Sequence, residues 1–118
     1  MKRVVITGIG VVSCLGNNKE EVYQSLINSK SGITFSEEYK EFNLRSQVHG
    51  VPNIKIEDYV DRKIIRFMGP GSAYNYIAMK EAVKDSGLEE KNVSNISTGM
   101  IMGSGGPSIK NVILAADK

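Results

Sequence analysis

Two apolar runs place the strictest demand on what this chain can fold into. Residues Val4–Val12 are almost continuously apolar and rich in β-branched side chains, and Thr98–Met102 form a second, shorter run. Such runs are typical of strands that are buried on both faces of a parallel sheet. Two buried strands need helices on both sides and usually further strands beside them. We therefore predict an α/β fold of which this chain holds an incomplete part.

The segments around these runs carry helix and turn signals. Asn18 begins a capping box that predicts a helix ending near Gly32, and Ser36 is placed to cap a short acidic helix. A long helical pattern follows Asp58 and stops at Gly87, and "SIKNVILAAD" begins another helix. The segment "RSQVHGV" predicts a short peripheral strand. The order of strand, helices, strand and helix predicts a right-handed crossover and a parallel sheet.

Pro70 interrupts the long helical pattern because its ring clashes with the carbonyl four residues earlier. Two outcomes are open, a break with Pro70 in the first turn of a new helix, or a kink in one helix. The pattern also predicts a set of side chains that share one helix face. They are Ile65, Met68, Ser72, Tyr76, Met79 and Val83.

Composition limits the partners of this 118-residue chain. It has 15 Lys and Arg against 13 Asp and Glu, a formal net charge of +2. That balance does not fit a dedicated nucleic-acid binder with a basic stripe. No stretch approaches the roughly 18 apolar residues of a membrane span. A single cysteine and a basic start without a cleavage signal indicate a cytoplasmic protein.

The glycines near the N-terminus allow a nucleotide hypothesis. Gly8-Ile-Gly10 matches the start of G-x-G-x-x-G, but Ser13 occupies the third glycine position. The later "GSGGPSIK" lacks the Lys-Ser/Thr pair of a P-loop. Dinucleotide binding is therefore one alternative, and the other is glycines that let neighbouring elements approach closely.

Cys14 and His49 are the only cysteine and histidine in the chain. Cys14 follows the first apolar run near a helix start, where a thiolate could be stabilised. A nucleophilic pair with His49 is one hypothesis, and a small buried apolar side chain is the other. One cysteine and one histidine fall short of the usual three or four metal ligands, so we expect no metal.

A compact set of basic side chains is the most informative feature of the polar sequence. Helical "DRKIIRF" leaves Ile64, Ile65 and Phe67 for packing while its basic groups reach solvent. Such a patch suits an acidic partner or a phosphate. The alternative is a solvated face paired with Asp58 and Asp61. The members of the set are Arg45, Arg62, Lys63 and Arg66.

Several segments together resemble a known enzyme family. "VVITGIGVVS" and "GSGG" recur across condensing enzymes, whereas "SGITFSEEYKEFNLRSQVHG" with "DRKIIRFM" is specific to one branch. In this order and spacing, residues 1–118 are similar to the N-terminal part of the type I β-ketoacyl-[acyl-carrier-protein] synthases. The resemblance implies a thiolase-like, layered α/β/α/β/α fold. It implies that this chain holds the first half of that fold in incomplete form, as part of the N-terminal domain.

The resemblance also implies an activity for the parent protein. Family members elongate fatty acids by decarboxylative Claisen condensation of an acyl-enzyme with malonyl-acyl-carrier protein, as homodimers without a cofactor. Their catalytic cysteine and two histidines lie C-terminal to the region represented here, so Cys14 and His49 match none of them. The chain alone is therefore expected to hold no catalytic residue and to be inactive. A non-catalytic module that binds the carrier protein is the alternative.

Two sets of residues match functional positions of the family. The set expected to bind the acidic helix of acyl carrier protein is Arg62, Lys63 and Arg66, with Arg45 as a neighbour. The set expected at the dimer interface and acyl pocket is Ser104, Gly105, Gly106 and Pro107. Pro107 stands where the resemblance leads us to expect a third glycine. Pro70 likewise departs from the unbroken helix of the family.

Overall fold

The computed structural model describes residues 2–117. They fall into two compact units, each treated by itself below. One, which we call the terminal unit, is drawn from Met1–Gly10 and Lys55–Lys118. The other, which we call the central unit, comprises Val11–Ile54.

The central unit begins with helix α1, Lys19–Ile27. The Asn18 side chain accepts a hydrogen bond from the backbone N–H of Glu21 at 2.9 Å and donates one to the Glu21 carboxylate at 2.9 Å. The predicted cap is therefore confirmed. The helix ends earlier than Gly32, because the chain leaves the helical conformation at Ser29, which has a φ of 51°.

A two-stranded antiparallel sheet and a helix complete the central unit. Strand β1, Thr34–Phe35, pairs antiparallel with strand β2, Val48–His49. Helix α2, Glu37–Glu41, lies between them in sequence. The buried Ser36 hydroxyl accepts a hydrogen bond from the Tyr39 N–H at 3.2 Å and so caps α2. The predicted cap and the predicted peripheral strand are both confirmed.

The terminal unit is mainly helical. Pro70 is the first residue of its longest helix, where proline needs no hydrogen-bond partner for its missing N–H. The break at Pro70 is therefore confirmed, and a single kinked helix is excluded. Gly87 ends this helix with a φ of 68°, as predicted. The elements are a 3-10 turn at Ile56–Asp58 and helices α3 Arg62–Ile65, α4 Pro70–Ser86, α5 Glu90–Val93 and α6 Ile109–Ala116.

The core of the terminal unit lies between α4 and the segment that follows the 3-10 turn. Val60, Ala73 and Ile77 are its buried apolar side chains. The predicted helix face holds only in part. Ser72, Tyr76, Met79 and Val83 lie on one side of α4, but the break before Pro70 separates Ile65 and Met68 from them. The buried side of α4 is the adjacent one, with Ala73 and Ile77, while Tyr76 and Met79 are partly exposed.

The two predicted buried strands are absent from residues 2–117. Among these residues only β1 and β2 form a sheet, and that sheet is antiparallel. Both apolar runs lie outside the helices and strands and are largely exposed, with Val4 95% and Ile101 97% exposed. A parallel strand satisfies its backbone only when other strands lie along its edges, and neither run has such a neighbour here. The predicted parallel sheet and crossover are therefore wrong for the described residues, which are mixed α/β with helix predominant.

The first apolar run nevertheless contacts α4 through its glycines. A Cβ placed on Gly10 would collide with the Ala78 carbonyl oxygen and lie 2.7 Å from the Ala82 nitrogen. A Cβ on Gly8 would lie 2.7 Å from the Ser86 nitrogen. Only glycine permits this approach of two backbones. The interpretation of these glycines as close-approach residues is confirmed.

Candidate functional site

Helix α3, Arg62–Ile65, is a single short turn fixed at both ends. The Asp61 carboxylate accepts a hydrogen bond from the Lys63 N–H at 2.7 Å and caps its start. Its end tightens, since the Phe67 N–H donates to the carbonyl three residues earlier at 3.0 Å. The helix also packs against the preceding 3-10 turn. These contacts fix the short element that carries Arg62 and Lys63 and has Arg66 at its C-cap.

Three of the predicted basic residues meet on α3 and at its C-cap. Arg62, Lys63 and Arg66 are all exposed, and we call them the α3 cluster. Within residues 2–117 no carboxylate forms an ion pair with any of the three. Asp61 instead caps the helix, and Asp58 ends the 3-10 turn. The alternative of a face neutralised by these two aspartates is therefore not what the structure shows.

Arg45 is the fourth predicted basic residue. It belongs to the central unit, where it is exposed in the segment between α2 and β2. Its grouping with the α3 cluster stays a prediction.

Phe67 differs from its predicted role. The sequence pattern assigns it to packing, but its side chain is 79% exposed. The Arg66 guanidinium carbon lies 4.7 Å from the centre of the Phe67 ring, a cation–π arrangement. Its position directly after the C-cap Arg66 is the sequence signal that could have indicated this contact.

The glycine-rich segment lies along an open groove of the terminal unit with a volume of about 820 Å³. Three of the four predicted residues, Ser104, Gly106 and Pro107, line it, and Gly105 is not among the lining residues. The Ser104 hydroxyl donates a hydrogen bond to the Gly106 carbonyl at 2.8 Å. The other lining residues come from the first turn of α4 and from α6, and are Gly69, Pro70, Gly71, Ser72, Ser108, Asn111, Val112 and Ala115.

Cys14 and His49 both belong to the central unit, and their side chains make different contacts. A Cβ on Gly32 would lie 2.8 Å from the Cys14 sulfur, and one on Gly50 would lie 3.0 Å from it. The His49 ring meets the Tyr39 ring edge-on at 5.5 Å between centroids. In the part of the chain that is described, no hydrogen bond joins Cys14 to His49. The packing favours a structural cysteine over a nucleophile.

This packing predicts that Gly50→Ala lowers the free energy of unfolding by about 1 kcal/mol, because the new methyl group crowds the Cys14 sulfur. In a Cys14→Ala background the same substitution should cost less, since the sulfur is gone. A double-mutant cycle from urea unfolding measures the coupling between the two positions. Equal costs in both backgrounds would contradict the contact.

Two absences within residues 2–117 bear on the site. They hold no group of three or more His, Cys, Asp or Glu side chains arranged to bind a metal ion. None of the helices described is long and apolar enough to cross a membrane.

The chain matches one protein family along its full sequence. Residues 1–118 match the family described as "Beta-ketoacyl synthase, N-terminal domain". The chain belongs to this family. The resemblance predicted from the sequence motifs is thereby confirmed.

Curated relatives point to the same branch of condensing enzymes. The chain is 48% identical over 117 residues to the 3-oxoacyl-[acyl-carrier-protein] synthase 1 of Haemophilus influenzae, covering 99% of the chain and 29% of the relative. It is 45% identical over 118 residues to the Escherichia coli protein of that name, with 99% and 29% covered. A Buchnera aphidicola protein of the same name is 54% identical over 110 residues, with 90% and 26% covered. The chain thus spans less than a third of the length of these relatives.

Proposed function

We propose that this chain is the N-terminal portion of a 3-oxoacyl-[acyl-carrier-protein] synthase that elongates fatty acids. The whole enzyme condenses an acyl group held as a thioester with malonyl-acyl-carrier protein, and loss of carbon dioxide supplies the carbanion. Family membership along residues 1–118 and relatives carrying that name support the assignment. In the whole enzyme, the two exposed apolar runs are strands of the layered thiolase-like core.

The part played by this chain is to bind acyl carrier protein, not to perform the chemistry. The observation that carries this is the α3 cluster, whose exposed cations form no ion pair with any carboxylate of residues 2–117. Cationic side chains presented in this way attract an acidic partner, speed the encounter and set the register of the complex. Arg45 is proposed as a neighbouring contact. Cys14 and His49 take no catalytic part, because the first is packed by two glycines and the second lies against Tyr39.

The groove beside the glycine-rich segment is proposed to adjoin the acyl pocket and the interface of a homodimer. Ser104, Gly105, Gly106 and Pro107 form that border in this proposal. Both prolines of the groove, Pro70 and Pro107, restrict backbone φ, which keeps the two helix starts around it rigid. The exposed apolar side chains of α6, among them Ile109 and Ile113, supply surface for such an interface.

Binding of acyl carrier protein to the 118-residue chain tests the docking proposal. Fluorescence anisotropy of labelled carrier protein should rise on titration at low salt. The affinity should fall by about tenfold or more at physiological ionic strength and above, because salt screens exposed charges. Circular dichroism on the same sample establishes that the chain is folded. A folded chain that leaves the anisotropy unchanged would contradict the proposal, and so would binding that salt does not affect.

A further inference from the structure

The terminal unit places an exposed aromatic ring directly against its cationic residues. Phe67 is 79% exposed, although it is among the largest apolar side chains in the sequence. Single exposed apolar residues are common and by themselves indicate nothing. What distinguishes Phe67 is the Arg66 guanidinium, which lies over its ring at 4.7 Å. The apolar and the charged surface are therefore continuous at this point.

The other cation–π contact among the described residues differs from the Arg66–Phe67 pair. Lys40 lies 6.0 Å from the centre of the Phe35 ring in the central unit. Its ammonium group also lies 3.7 Å from the Glu37 carboxylate, so its charge already has a partner within α2. Arg66 has no such carboxylate partner in residues 2–117. Only the Arg66–Phe67 pair, of these two, combines an exposed ring with a cation that has no ion-pair partner.

We propose that Phe67 is a specificity-determining residue of the docking surface, and that it contacts an apolar side chain lying next to a carboxylate on acyl carrier protein. The inference rests on the proposed function, because it assigns a second kind of contact to the same site. The occupant is an acidic surface that also carries an apolar side chain within one helical turn of its carboxylates. A partner that is only acidic would form ion pairs with the α3 cluster but leave the Phe67 ring exposed to water.

Two physical effects give Phe67 this role. First, an arginine side chain loses rotamer freedom when it pairs with a carboxylate, and stacking on a ring confines the guanidinium in advance. Second, an aromatic side chain that loses water at an interface contributes apolar contact at little entropic cost. Confinement of the guanidinium strengthens the pairing of Arg66 with a carboxylate, which salt weakens. The apolar contact of the ring does not depend on salt. The dependence on salt therefore separates Phe67 from the cations beside it.

The test compares Phe67→Ala and Phe67→Leu with the unmodified 118-residue chain in the anisotropy titration with acyl carrier protein. Phe67→Ala should weaken binding by about tenfold at low salt, and the part of that loss that comes from apolar contact should persist at moderate salt. Phe67→Leu keeps apolar area but loses the cation–π contact, so it should weaken binding by about two- to fivefold. Tyr23→Ala is the control, since Tyr23 is an aromatic residue of the central unit that is 57% exposed. It should bind like the unmodified chain.

The slope of affinity against salt concentration provides a readout that a merely structural role would not produce. Phe67→Ala should change the slope of the unmodified chain much less than Arg66→Ala, which should flatten it. Circular dichroism of each variant shows whether its fold is retained, and Phe67→Leu preserves the comparison if Phe67→Ala unfolds.

The outcomes distinguish the role of Phe67 from the docking proposal on which that role rests. Salt-dependent binding that both Phe67 variants leave within about twofold of the unmodified chain would overturn the role of Phe67 and leave the docking proposal standing. A loss at Phe67→Ala that vanishes at moderate salt would also overturn it, because the ring would then act only through charge. No binding by the unmodified chain would overturn both.

Discussion

Replacing Gly10 with valine is expected to lower the free energy of unfolding of the terminal unit by about 3 kcal/mol. The added Cβ would overlap the Ala78 carbonyl oxygen and come within 2.7 Å of the Ala82 nitrogen. Both are backbone atoms of a regular helix, so they cannot rotate away as a side chain could. The run must instead separate from α4. That separation also breaks the 3.0 Å hydrogen bond from the Ile9 N–H to the Asp85 carboxylate.

Urea unfolding followed by circular dichroism measures this loss as a shift of the midpoint. Gly71→Ala is the matched control, because a Cβ on Gly71 meets nothing within 4 Å and the residue lies in α4. Alanine there should raise stability by about 0.5 kcal/mol, since it favours helix more than glycine does. If Gly10→Val is as stable as Gly71→Ala, the close contact between the first run and α4 does not exist.

Reversing the charge of the whole α3 cluster should weaken carrier-protein binding by about 100-fold or more at low salt. The triple variant Arg62→Glu, Lys63→Glu, Arg66→Glu replaces three attractive charges with three repulsive ones against an acidic surface. Since all three side chains are exposed, the fold should tolerate the change. Anisotropy with labelled acyl carrier protein measures the affinity.

The control for that variant changes the net charge equally at other exposed lysines. Lys30→Glu, Lys80→Glu, Lys91→Glu lowers the formal charge by the same amount, and these residues are exposed too. It should retain most of the affinity if position matters more than overall charge. Equal losses from the two triple variants would show that attraction is general and that α3 is not the docking element.

Local features of this fold were predictable from the sequence. The caps at Asn18 and Ser36, the stop at Gly87 and the start of α4 at Pro70 each depend on a few neighbouring residues. Backbone conformation and a side-chain oxygen within three residues decide them. The glycines at positions 8 and 10 were also interpreted correctly, because a small residue inside an apolar run indicates close approach.

The strands were not predictable in the same way. The pattern of Val4–Val12 indicates a strand that is stable only when buried on both faces. It does not indicate whether this chain contains the strands and helices that would bury it. Pairing depends on partners far along the chain, and among residues 2–117 neither apolar run finds one. The chain spans less than a third of its curated relatives, and the proposed whole enzyme supplies the remaining strands.

The placement of the basic residues on one short element could be predicted from the sequence, whereas their ion-pair partners and the exposure of their neighbours could not. The spacing of Arg62, Lys63 and Arg66 indicated one cluster, and all three lie on α3 or at its C-cap. Whether Asp61 would neutralise them could not be read from spacing. It caps the helix instead, and that choice depends on backbone geometry at the helix start. The exposure of Phe67 was missed, because an apolar residue in a helical pattern is usually assigned to packing.

The docking proposal is tested most directly by mapping where acyl carrier protein binds. The backbone amide signals of the isotope-labelled chain should be followed by NMR while unlabelled carrier protein is added. We predict that the largest shifts fall in the segment from Asp61 to Met68 and diminish with salt, while α1 is unaffected. Shifts that centre elsewhere, or a folded chain whose spectrum does not change, would contradict the assignment of α3 as the docking surface.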